Sequence, residues 1–411
     1  MKKTAPQDSA GHEKSPDHKE LGAQLDLFLF SDLVGPGLPL WTPKGTILRE
    51  ALDDFVWELR AKRGYEKVEI PHMAKKDLYE KSGHWEKFKD DLFRVKTREG
   101  HEFAIKPMNC PHHTQIYSRR PQSYRDLPVR YANTTMCYRD EQTGELNGLA
   151  RLRAFTQDDA HVFCRTSQAE EEILKIWDIV DEFYSTFGFE LSPALSLSDP
   201  KNMDAYLGDR AHWREAEDTL RRVVKKRKAN VPEVLGEAAF YGPKIDFMAH
   251  DSLGRTWQVA TIQLDMNMPE RFDLTCINEQ GQPERIVMIH AAIMGAIERF
   301  LSILLEHTAG VFPAWLAPIQ ISVATVSNEK HLEYAQKLAN RLTAAGARVW
   351  VDDSDESVGK KVRASEQQKI PYTLVIGDKE MAGEKLAVRS RGEKDTMDMT
   401  PDELVAKLKR A

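Results

Sequence analysis

The run "RLRAFTQDDAHVFC" at residues 151–164 places arginines, an aromatic, a glutamine, two adjacent aspartates, a histidine and a cysteine within one short segment. As a β-strand it turns Phe155, Gln157, Asp159 and His161 to one face and Thr156, Asp158 and Ala160 to the other, because strand side chains alternate. Two further positions carry comparable chemistry, Cys110 in "IKPMNCPHH" and His290 in "VMIHAAIMG". Cys110, His161 and His290 would offer one thiolate and two imidazoles, a donor set that suits Zn2+ and leaves a fourth position open. Spacing alone does not single them out. With 13 histidines and 4 cysteines in the chain, isolated Cys and His are more often core or surface residues.

The elements around these residues follow from pattern. "GTILREALDDFVWELRAKRG" has apolar residues at helical spacing (Ile47, Leu48, Leu52, Phe55, Val56, Leu59) and ends on Gly64, and "YEKVEIP" reads as a strand stopped by Pro71. Short β-like runs dominate from about 92 to 165. "SQAEEEILKIWDIVDEFYSTFG" predicts a helix opened by a Ser167/Glu170 capping box. Strands are expected at "AFYGPKIDFMAHD" and "RTWQVATIQLDM", and a helix at "HAAIMGAIERFLSILLEH". Long strands with few βαβ units indicate an α+β fold, an antiparallel sheet flanked by helices. Past "VFPAWLAP" short strands alternate with helices, which marks a separate α/β module. The expected division is a flexible polar tail 1–22, a domain 23–312, a linker 313–318 and a module 319–411.

Composition narrows the setting. The 411 residues, 41% hydrophobic and 30% charged, are ordinary for a globular protein, and no apolar run approaches the roughly 20 residues of a membrane span. Residues 1–22 resemble neither a signal peptide nor a transit peptide. Four cysteines without a disulfide framework point to the cytoplasm. A net charge of −6 argues against indiscriminate coating of nucleic acid, but not against a local basic surface for one structured RNA.

"KPMNCP", "RLRAFTQDDAHVFC", "AAFYGPKIDF", "VMIHAAIMGAIERF" and "FPAWLAP" resemble, in order, the signatures of the threonyl-tRNA synthetase family of class II aminoacyl-tRNA synthetases. The resemblance implies ATP-dependent activation of threonine and its transfer to tRNA(Thr), with one Zn2+ on Cys110, His161 and His290 and Mg2+ with ATP. The helix and strand ending at Pro71 look like motif 1, which implies a homodimer. "YRDEQTGELNGLARLRAF" looks like motif 2: Arg139 is expected on the α-phosphate and substrate carboxylate, Glu141 on the adenine amino group and Phe155 under the adenine ring. Arg299 looks like the motif 3 arginine holding the γ-phosphate, and Arg151 and Gln258 complete the expected ATP set. Gln157, Asp159, Tyr241 and Gln263 are expected around threonine, with Asp159 accepting the hydroxyl proton, while Asp158 is expected to be structural.

The C-terminal module resembles the anticodon-binding domain of these enzymes, with Arg363, Lys369, Glu380 and Arg389 at contact positions. It carries 16 Lys/Arg against 15 Asp/Glu over 318–411 and four acids in "VDDSDESVG", so its phosphate affinity depends on how its charges are segregated. "KKRK" at 225–228 reads as a solvated helix face. His112 stands where the family usually has glycine, Ala154 replaces another glycine, Ala291 stands for an arginine and Ala296 for a serine. These departures leave open a paralogue that delivers threonine or a related amino acid to a non-tRNA acceptor such as a carrier protein, an inhibitor-resistant duplicate, or a silent RNA-binding regulator. The short segment ahead of residue 23 implies that editing in cis is lacking.

Overall fold

A computed structural model describes residues 17–252 and 254–410. The two largest cores among the described residues are one under an eight-stranded sheet and a smaller one under a five-stranded sheet that begins at Ile321.

The described chain opens on a helix, α1 (His18–Gln24), whose first turn is capped by the Asp17 carboxylate accepting from the Lys19 and Glu20 N–H groups. The expected flexible tail 1–22 therefore has to be corrected: residues 17–22 belong to a capped helix with Leu21 in the large core, and residues 1–16 lie outside the described residues. Helix α2 (Pro43–Ala61) starts with Thr42 as cap and Pro43 in its first turn, and its buried stripe of Leu48, Leu52, Phe55, Val56 and Leu59 is the apolar pattern read from the sequence.

Eight strands form the main sheet: β1 (Glu66–Lys67), β2 (Val129–Tyr138), β3 (Ala154–Cys164), β4 (Glu190–Leu197), β5 (Glu233–Leu235), β6 (Lys244–His250), β7 (Thr256–Asp265) and β8 (Val287–Ala292). Their spatial order is β5-β4-β6-β7-β8-β3-β2-β1. The six inner strands are antiparallel, and a short parallel strand closes each edge. The strand expected in "YEKVEIP" shrinks to the two-residue β1, in which Glu66 and Lys67 pair in register with Tyr131 and Ala132 of β2.

One face of the sheet is dry. Helices α4 (Ala169–Thr186) and α6 (Ile297–Thr308) pack there with α2, and Ala160, Val162 and Cys164 of β3 point into that core. On the other face Phe163 stacks on Tyr117 of helix α3 (Cys110–Tyr117). The alternation predicted for residues 155–161 is thus the division between core and site.

Two local expectations fail. The helix expected over 290–307 is β8 followed by α6. Gly295 turns the chain between them at φ +72°, where an added Cβ would meet the Val259 carbonyl oxygen at 2.8 Å. His290 is therefore a strand residue, paired across to both His161 and Gln263. The Ser167/Glu170 capping box does not form, since α4 begins at Ala169 and Glu170 is drawn into ion pairs with Arg222 and Lys226. Those pairs, with Arg227 on Asp178, also occupy much of the "KKRK" face at the end of helix α5 (Arg210–Arg227).

In the second unit, strands Ile321–Thr325, Val349–Asp352 and Tyr372–Ile376 are parallel, and Leu386–Ser390 and Thr396–Met399 extend the sheet antiparallel. The segment 313–318 turns at Pro313 and buries Leu316 and Ala317 in the large core, so it packs as part of the first unit.

Candidate active site

The solvent-facing side of the main sheet holds a cavity of about 320 Å3. Arg139, Glu141, Arg151, Phe155, Gln157, Gln258, Gln263 and Arg299, all singled out from the sequence, line it. Arg139 enters from the end of β2 and lies over the Phe155 ring at 5.2 Å, a cation–π contact that also orients its guanidinium. Arg299, from the first turn of α6, donates from Nε to the Ala150 carbonyl at 2.9 Å. Burial, and then the nearby Arg139 and Arg151 charges, lower the pKa of the Arg299 guanidinium. Such a cluster of cations in a partly dry cleft favours a polyanionic ligand. Arg151 pairs with Glu141, its Nε 2.8 Å from the carboxylate. Gln258 donates to Asp246 at 2.7 Å, which fixes its amide at the cavity wall.

Beside the cavity lies a second, fully buried cluster. The ligand atoms of Cys110, His161 and His290 lie within 4.8 Å of one another. His290 presents Nδ1 to His161 Nε2 at 3.2 Å. Two ligand nitrogens of a tetrahedral site with bonds of roughly 2.0–2.1 Å lie about 3.3 Å apart, so the spacing fits a cation. The remaining ring nitrogens are held from behind. Asp265, itself accepting from the Asn267 and Met268 N–H groups, takes the Nε2 side of His290 at 2.9 Å, and His113 meets Nδ1 of His161 at 2.8 Å. Carboxylate support of a ligand imidazole fixes its tautomer. Burial, with Asp159 and Asp265 nearby, pushes the Cys110 thiol well up in the absence of a cation, and a bound metal reverses that by stabilising the thiolate. The donor set fits a metal.

Between the two lie the remaining candidates. Asp159 accepts from Asn109 Nδ2 at 3.0 Å, and Tyr241 donates its hydroxyl to Gln263 while stacking on His290 at 4.8 Å. Asp158 points the other way, as expected. It pairs with the buried Arg60 of α2 and accepts from the Ile293 and Met294 N–H groups at 3.0 and 2.6 Å, which holds the turn between β8 and α6.

The sequence reading missed His84, His113, Asn109 and Asp265. Burial pushes His84 down to about 3, with help from the His290 and Arg139 charges, and its Nε2 lies 4.0 Å from the Cys110 sulfur. Only Asn109 and His113 had a signal, as neighbours of Cys110 in "NCPHH". Asp265 and His84 come from distant segments with none.

In the second unit, Arg363, Glu380 and Arg389 line one groove, with Arg389 on Glu366 at 2.8 Å. Lys369 does not join them. It follows the helix Val358–Gln367 in a left-handed conformation and lies beside Lys44, Phe312 and Gln368, between the two units. Among the altered positions, His112 is buried with neither ring nitrogen hydrogen-bonded, and burial pushes it down to about 4. Ala291 is buried in β8, and Ala296 lines the cavity as the N-cap of α6.

Residues 93–308 match the class II tRNA synthetase core domain (G, H, P, S and T), and residues 320–411 match the anticodon binding domain. The threonine–tRNA ligase of Cytophaga hutchinsonii is 46% identical over 95% of this chain and 61% of its own length, and that of Porphyromonas gingivalis is 48% identical over 93% and 59%. The crystal structure of the RNA binding domain of threonyl-tRNA synthetase from Cryptosporidium parvum superposes with a TM-score of 0.91 at 38% identity, covering 96% of this chain and 98% of that one. The chain belongs to the class II tRNA synthetases and, within them, to the threonyl-tRNA synthetase family. It spans about three-fifths of the length of the curated relatives it matches. No helix among the described residues is long and apolar enough to cross a membrane.

Proposed function

We propose that this chain activates L-threonine with ATP and transfers it to tRNA(Thr). The observation that carries the reading is the adjacency of the buried Cys110/His161/His290 cluster to the arginine-lined cavity, with Gln157, Asp159, Tyr241 and Gln263 between them. In the first step a threonine carboxylate oxygen attacks the α-phosphorus of ATP and pyrophosphate leaves. Charge develops on phosphoryl oxygens, and the fixed guanidiniums of Arg139 and Arg299 meet it without any acid–base residue. Phe155 and Glu141 hold the adenine, Arg151 and Gln258 the rest of the nucleotide, and Mg2+ accompanies the phosphates. In the second step a terminal ribose oxygen of the tRNA attacks the threonyl carbonyl carbon and AMP departs.

Threonine and valine are nearly isosteric, and an apolar pocket separates such pairs by only about two orders of magnitude. A zinc ion held by Cys110, His161 and His290 would supply a Lewis acid for the polar groups of threonine, and valine lacks the hydroxyl. Asp159 is positioned by Asn109 to take the hydroxyl proton. Serine satisfies the same contacts. In the second unit Arg363, Glu380 and Arg389 are the proposed anticodon contacts, whereas Lys369 faces the junction between units. The proposed homodimer pairs a second copy along α2 and β1, the elements that look like motif 1.

The test is amino-acid-dependent pyrophosphate exchange with threonine, serine and valine, with zinc measured on the same preparation. Zinc-dependent exchange strong with threonine, weaker with serine and absent with valine supports the reading. Equal activity with valine sinks the role of the metal, and exchange without charging of tRNA(Thr) sinks the tRNA step.

A further inference from the structure

The segment expected to be a loose tail carries a buried histidine. His18, at 4% exposure, bridges the cavity wall at Leu149 and the later part of α6 at Glu306, two segments distant in sequence. Its Nε2 accepts from the Leu149 N–H at 3.1 Å, which assigns the proton to Nδ1, and that N–H donates to Glu306 at 2.7 Å. The backbone N–H of His18 donates to the same carboxylate oxygen at 2.9 Å. Leu149 and Ala150 belong to the tight turn 147–151 that forms one wall of the cavity, and Ala150 accepts from Arg299. Glu306 lies two turns along α6 from Arg299.

These contacts close a ring: His18 to Leu149, Ala150 to Arg299, along the rigid helix to Glu306, and back to His18. Glu306 is held in turn by Arg255. Gly148 makes room for the imidazole, since a Cβ there would meet His18 Nε2 at 2.2 Å. Without His18 the Leu149 N–H loses its acceptor, and the turn is left with the Arg299 bond, the Arg151–Glu141 pair and the packing of the Leu149 side chain in the large core.

We propose that His18 is a positioning residue for the nucleotide, a strap that sets the 147–151 turn against Arg299 without touching substrate. The threonine-side groups Gln157, Asp159 and Tyr241 do not share this ring, so the strap acts on ATP alone. The proposal rests on reading the cavity as a nucleotide site. It is tested by calorimetric titration with Mg·ATP and by threonine-dependent pyrophosphate exchange on wild type, His18→Leu and His18→Gln. In H18L the ATP dissociation constant and KM rise about fivefold to tenfold, the size of one lost buried hydrogen bond, while the threonine KM stays within about twofold. H18Q, whose amide oxygen can accept from Leu149, recovers most of the loss.

Unchanged ATP binding in H18L, or parallel loss of both substrates with no rescue by H18Q, overturns the strap. If H18L does not fold, Glu306→Ala removes the other anchor of the ring and leaves the 147–151 turn itself unchanged, and the same selective loss of ATP affinity is expected; normal ATP binding in E306A overturns the proposal. Wild type that binds ATP but shows no threonine-dependent exchange sinks the threonine reading and leaves the strap standing. Wild type that binds no ATP sinks both.

Discussion

At the scale of single residues, Asp158 and Arg60 form a buried pair beneath the site rather than in it. Removing one partner of such a pair leaves an uncompensated charge and costs about 3–5 kcal/mol. Arg60→Met is therefore expected to lower thermal stability sharply, and the double variant R60M/D158N, which removes both charges and keeps an acceptor for Ile293 and Met294, to recover much of it; equal melting temperatures for the two variants would contradict the pairing. Ala296 sits at the N-cap of α6 with no side chain to accept from the first turn. Restoring a hydroxyl with Ala296→Ser should add about 0.5–1 kcal/mol, read as a higher melting temperature. In "QDD" the period of two already separates the aspartate on the core side from the one facing Asn109, whereas the Arg60 partner of Asp158 appears only with the fold.

At the scale of elements, the site is built where β2, β3, β7 and β8 meet, and its acid tolerance follows from how α6 is tied down. Burial by itself would raise the Glu306 carboxyl, but the hydrogen bonds from the His18 ring and backbone, with Arg255, hold it below the usual carboxylate range. A group depressed in the folded state adds stability that is present above its unfolded pKa, about 4.3 for glutamate, and lost as the pH falls through the folded value. Thermal melts of the wild type should thus lose stability as the pH drops below about 4, and Glu306→Gln should flatten that part of the curve; an unchanged curve would remove Glu306 as the cause. The helical stripe of α2 and the alternation of β3 were legible because both repeat over many residues. The β8–α6 junction was not. "HAAIMGAIERF" has helical apolar spacing throughout, and what stops the helix at Ile297 is pairing of 287–292 with β3 and β7 together with the close approach of Gly295 to Val259.

At the scale of the whole molecule, the two units are joined by polar contacts, Lys44 to Gln368 at 2.7 Å and Arg391 to the Phe312 carbonyl at 2.8 Å. The groove proposed for the anticodon shares no lining residue with the arginine-lined cavity, so Arg389→Ala is expected to raise the tRNA KM in charging by about tenfold while leaving threonine-dependent pyrophosphate exchange within about twofold. A loss of exchange in R389A would mean that the groove communicates with the active site, or that the second unit is unstable without the Glu366 contact.

By itself the sequence determined the class of the fold and the two units and singled out most of the residues that line the cavity and the buried cluster, because periodicity is local and long signature blocks carry their own context. Tertiary structure alone decided what those residues share. Cys110, His161 and His290 come from separate segments, and only the pairing of β3 with β8 and the packing of the helix Cys110–Tyr117 against β3 bring their ligand atoms within 4.8 Å. The same holds for His18, which reads as part of a polar tail until Leu149 and Glu306 arrive from either side. A partner that lies more than a hundred residues away leaves no mark on local composition, so hydrogen bonds of that kind are decided by the fold.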